Sequence, residues 1–162
     1  MTTRTPGMDL DAVAARLDAI IETGDATLAD AAPELATELL ELGEAVLVRW
    51  LAAHGAVPTW RSVEGFRLLA LHRQAARGEP SFNACRETCR ELVYHHNLIR
   101  LEPTHADVAR RIRLGAMVAR HLALFVGGKL EVAGLGEFCC SSRPLHTGEG
   151  IGSETAPAAR PN

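Results

Sequence analysis

Lysine occurs once in this 162-residue sequence, at Lys129, and aromatic side chains make up only 4 % of it. A core with so few rings must be built from Leu, Val, Ile and Ala. Ala and Leu favour helices, whereas strands draw on aromatic and β-branched residues. Long apolar runs are also missing. The longest, around Leu122 to Val126, makes a turn or two of helix, far short of a membrane span. The opening MTTRTPGMDLDAV has no apolar stretch of the signal-peptide kind. The expected setting is therefore the cytoplasm, without a membrane, where the four cysteines stay reduced. Several motifs are absent: a Gly-rich phosphate loop, G-x-S-x-G, H-E-x-x-H, paired C-x-x-C and Glu-x-x-His on matched helices. Their absence removes the commonest enzyme and zinc-finger readings, and the chain reads as non-enzymatic.

Charge is unevenly spread. Residues 1–60 carry a net −7, residues 61–120 a net +5 and residues 121–162 a net −1. The basic middle is diluted by acids and lies on several helices, which suits an acidic first half folding against it better than a nucleic-acid surface. Arg110, Arg113 and Arg120, with His121, are expected to pair with the Glu-rich second helix.

The pattern predicts an all-α fold: a single-domain bundle of about five helices over residues 9–140, a flexible arm at 1–8 and a disordered tail at 141–162. Apolar residues at helical spacing mark a first helix from about Leu10 to Thr23, capped by Asp9 and ended by Gly24. A second runs from about Ala31 to His54 with Pro33 in its first turn. Its stripe is Leu35, Leu39, Leu42, Val46 and Trp50. A third spans Trp60 to Arg77, and a fourth runs from Ser81 to Leu101. A fifth opens on Thr104–Asp107, which has capping-box spacing, and ends at Gly127–Gly128. Its half GAMVARHLALFV is apolar on most sides and is expected to be the most buried. The second, fourth and fifth helices are central, and residues 129–138 form a short hairpin or irregular strap.

Candidate chemistry concentrates in SFNACRETCRELVYHHN, residues 81–97. At about 100° per residue, Phe82, Cys85, Cys89, Leu92, Val93, His96 and Ile99 share one face, while Glu87, Glu91 and His95 form a column on another. Cys85 and Cys89 are one turn apart, so both sulfurs can reach one metal ion. Cys139 and Cys140 supply two more thiols, with Glu137 beside them. Four such thiols suit zinc, copper(I) or an iron–sulfur cluster, and His72, His96 or His121 can replace one of them. His96 alone is a candidate cofactor ligand, for example axial to a haem. The plain alternative is that every cysteine packs in the core, as free cysteine commonly does. Glu87, Glu91 and His95 read as a solvated face, with acid–base work as the lesser option.

Two readings of function follow. The first is a small intracellular accessory protein that binds a soft metal or senses oxidation through Cys85, Cys89, Cys139 and Cys140. The second is a non-catalytic interaction subunit, docking on a protein partner or a second copy through its bundle surface or through Lys129–Cys140. A DNA-binding winged helix is a distant third, and an enzyme built on His95 and Glu91 ranks below these.

Overall fold

A computed structural model describes residues 8–134. Within them the fold is all-α, with helices α1 Leu10–Glu22, α2 Asp25–Asp30, α3 Ala32–Ala53, α4 Arg67–Gly78, α5 Arg86–Leu101 and α6 Val108–Val132. A 3₁₀ turn, Pro80–Cys85, leads directly into α5. No described helix is long and apolar enough to cross a membrane.

Helices α3, α5 and α6 form the centre, with α1 packed on α6 and α4 packed on α3. Leu35, Leu39, Leu42, Val46 and Trp50 of α3 are all buried, as their spacing predicts. Glycines allow two close helix approaches. A Cβ on Gly43 would lie 2.6 Å from Leu92 Cδ2, and one on Gly115 would lie 2.9 Å from Leu39 Cδ1 and 3.4 Å from His95 Cβ. The bare positions therefore let α3 meet α5, and α6 meet α3 and α5, at short range.

The expected boundaries hold at α1, where Asp9 Oδ1 accepts from the Ala12 amide at 2.7 Å. Elsewhere tertiary structure moves them. Gly24 caps a separate short helix instead of opening a loop, so there are six α-helices. Pro33 sits in the first turn of α3 and cannot donate to Ala29, which separates α2 from α3.

The stretch from Trp60 is not helical before Arg67. Val63 and Phe66 instead close a two-residue turn, with Glu64 at φ 54° and Gly65 at φ 84°. Side chains of α4 hold this loop. Arg67 donates to the Thr59 carbonyl and lies 3.8 Å over the Trp60 ring. Gln74 accepts from the Thr59 amide and donates to the Val57 carbonyl.

The last helix begins at Val108, after Asp107, and Asp107 makes no side-chain cap bond. It runs through Gly127–Gly128 to Val132, so residues 129–132 are helix and not a strap or hairpin. Continuation buries Leu130 at 2 % exposure, and that contact outweighs the low helix preference of two glycines. Nor is α6 buried all round: Leu114, Met117, Leu124 and Val132 are exposed. Arg113 and Arg120 turn toward the first two helices and not toward the Glu-rich α3, while Arg111 meets Glu102. Arg113 pairs with Asp25 at 2.6 Å and Arg120 with Asp18 at 2.7 Å.

Candidate functional site

The apolar face of α4 carries Leu68, Leu71, His72 and Ala75, and all four are buried. The 3₁₀ turn brings Phe82 and Cys85 down onto this face, and the first turns of α5 add Cys89. Phe82 is fully buried, its ring 4.5 Å from Trp50 and 5.8 Å from Phe125. Anchoring by Phe82 sets the position of its own carbonyl oxygen. That oxygen accepts from His72 Nε2 at 2.7 Å and from the Cys85 thiol at 3.1 Å. His72 and Cys85 therefore converge on one acceptor.

Cys85 is 2 % exposed and Cys89 fully buried. Both are free thiols. Cys85 is held at about 5, far below an ordinary thiol, first by a hydrogen bond from the Cys89 thiol and then by the hydrogen bond and charge of His72; burial opposes this. Cys89 is pushed up, chiefly because it is the group that donates to Cys85 and also by burial. Burial works against a charge on His72, but its bonds to Cys85 and the Phe82 carbonyl carry it above the usual imidazole value. With its proton, Cys85 donates to the Phe82 carbonyl; on ionisation it gives up that bond and is held instead by the Cys89 thiol and the His72 imidazolium, the pattern that activates a sulfur nucleophile.

The far end of the cysteine-bearing helix differs. His96 Nδ1 lies 2.7 Å from the Ala36 carbonyl, and its ring meets Phe66 edge-on at 5.9 Å. The ring sews α5 to α3. His95 is buried, at 8 % exposure, and this corrects the expectation that it shares a solvated face with Glu87 and Glu91. Those two carboxylates are exposed, while His95 turns toward α6 at Gly115. Its Nδ1 has no hydrogen-bond partner and its Nε2 is 3.8 Å from Glu91. Burial lowers its pKa, with Glu91 opposing.

Among the described residues no three His, Cys, Asp or Glu side chains gather where a metal ion could sit. Cys139, Cys140 and Glu137 lie outside the described residues. Of the sequence candidates, Cys85 and Cys89 come together, and His96 stands apart from them at the other end of α5. The residue that completes the cluster is His72. Its signal was present, because Leu68, Leu71, His72 and Ala75 have helical spacing with an imidazole in the apolar stripe. No protein-family model, curated protein or solved structure matches the chain.

Proposed function

We propose that the chain is a small cytoplasmic accessory protein that senses oxidation through a buried dithiol, Cys85 and Cys89, with His72 as the activating group. The observation that carries this reading is the convergence of His72 and Cys85 on the Phe82 carbonyl, with Cys89 one turn along α5. The oxidant class is a hydroperoxide. The Cys85 thiolate attacks the O–O bond, forming a sulfenic acid and releasing alkoxide or hydroxide, which takes up a proton. The Cys89 sulfur then displaces hydroxide from Cys85, giving a disulfide and water. Both sulfurs are buried, so local opening of the 3₁₀ turn admits the oxidant. In the soft-metal form of the same reading, Cys139 and Cys140 add thiols to Cys85 and Cys89, and the ion is zinc, copper(I) or an iron–sulfur cluster.

The test is alkylation of Cys85 across pH, with peptide mapping after hydroperoxide treatment. The expected midpoint is about 5, against about 8.5 for a free cysteine, and it rises in His72→Gln. Peroxide should link Cys85 to Cys89, and Cys89→Ser should trap the sulfenic acid. An ordinary midpoint together with no disulfide would sink the redox form. Metal content of anaerobically purified protein, compared with a variant carrying serine at all four cysteines, decides the metal form.

A second reading, self-association, is favoured by the outer face of α6. Leu114, Met117, Leu124 and Val132 are 38 %, 54 %, 61 % and 84 % exposed. They fall on one stripe with His121 and Gly128. A groove of about 510 Å³ floored by Trp50 and Phe125 borders Leu124 and Val132. A second copy of α6 laid antiparallel about a two-fold near His121 sets Met117 against Leu124 and Leu114 against the bare Gly128. It also brings Arg110 toward Glu131, giving the charge complementarity that a second copy supplies. Light scattering should show a dimer that Leu124→Glu converts to monomer; a monomeric wild type would refute this reading.

A further inference from the structure

Several arginines on the described surface have a carboxylate partner: Arg16 with Glu38, Arg67 with Glu44, Arg111 with Glu102, Arg113 with Asp25 and Arg120 with Asp18. In one place two arginines without such a partner border the same recess. A recess of about 250 Å³ between α4 and α5 is bordered by Arg73, Arg86 and Arg90, with His72, Asn83 and Ala76. Arg90 is offset by Glu64 at 3.3 Å. Arg73 and Arg86 have no acidic partner among the described residues. Two arginines without a carboxylate partner therefore border one small recess.

We propose that this recess is a binding site for a phosphate group. A dianion matches two uncompensated charges, whereas a carboxylate neutralises only one. Guanidinium also binds phosphate through paired N–H donors. The volume lies below the roughly 300 Å³ at which pockets hold whole drug-sized ligands, so the recess takes a head group and leaves any remainder in solvent. Two helical columns build the site: His72, Arg73 and Ala76 on α4, then Asn83, Arg86 and Arg90 through the 3₁₀ turn into α5. The site shares His72 with the redox proposal, but its arginines bind phosphate whether or not the thiols react.

The experiment is calorimetric titration of the full chain at low ionic strength with inorganic phosphate, phenyl phosphate and acetate. Saturable binding of a phosphate compound is expected. It should weaken by about tenfold or more in Arg86→Gln and in Arg73→Gln, each removing one charge-assisted contact. Arg110→Gln, on an exposed face of α6, should bind like the wild type. Circular dichroism of each variant establishes that the fold is intact. Tighter binding of phenyl phosphate assigns a phosphomonoester, tighter binding of inorganic phosphate assigns the free ion, and either outcome supports the site. Acetate binding as well as phosphate, no saturable binding, or an affinity unchanged in both recess variants overturns it.

Discussion

At its N-terminal end α5 sets a buried imidazole from α4 beside a thiol; at its C-terminal end two buried imidazoles of its own meet a carbonyl, a phenyl edge and a glycine. His72, His95 and His96 are similarly buried, at 6 %, 8 % and 9 % exposure. Their chemistry differs because their partners differ. His72 has an acidic neighbour in Cys85, which stabilises its charge. His96 has one strong acceptor, the Ala36 carbonyl, and serves as a strut. His95 has burial without a close partner, and its charged form is disfavoured. Burial alone therefore says little about whether a histidine is reactive. The nearest polar atom decides it.

The largest effect that sharpens this contrast is expected from Phe82→Ala. Truncating this fully buried ring should cost about 3–5 kcal/mol, measured by urea unfolding. It should loosen the thiol end selectively, raising the Cys85 alkylation rate and lowering hydrogen-exchange protection at the start of α5. Equal loss of protection at both ends of α5 would break the contrast. Next comes His96→Ala, expected to cost about 1–3 kcal/mol through the lost bond to Ala36. The pH midpoint of Cys85 alkylation should stay where it is. A shifted midpoint would mean that the two ends are coupled and that His96 does more than hold helices together.

The smallest effect is expected from His95→Leu. The ring carries a buried, unpartnered Nδ1, so replacing it should change stability at neutral pH by no more than about 1 kcal/mol in either direction. Its pH dependence gives a sharper signature. The folded His95 titrates below its unfolded value, so between the two the unfolded chain binds the extra proton. Wild-type stability therefore falls as pH drops from about 6.5 through the lowered folded value, and His95→Leu should lack that part of the fall. A large loss at neutral pH in this variant would show that His95 holds a partner after all.

Much of the helical framework was legible in the residues. The stripe of α3, the Asp9 cap, Pro33 in a first turn and the inward face of Cys85, Cys89 and His96 follow from spacing and cap chemistry. Where the reading failed, a remote contact had outvoted a local signal. Gly127–Gly128 looks like a stop, but Leu130 beyond it has a place in the core. Thr104–Asp107 looks like a capping box, but the helix begins after it. Trp60 to Phe66 carries helix-compatible residues, yet Arg67 and Gln74 of α4 bind its backbone as a loop, and Glu64–Gly65 marks the turn. His95 looks solvated beside Glu87 and Glu91, but α6 crosses closely there because Gly115 has no side chain.

Composition and periodicity by themselves determined that this chain is helical, which helices are central and which side of α5 carries sulfur toward the interior, because those features depend on residues within a few turns of one another. Tertiary structure alone decided that His72 completes the thiol pair, that Arg73 and Arg86 face a shared recess without carboxylates, and that α6 shows an apolar stripe to solvent. Each of these depends on how separate helices are set against one another, a distance that spacing along one chain segment does not encode.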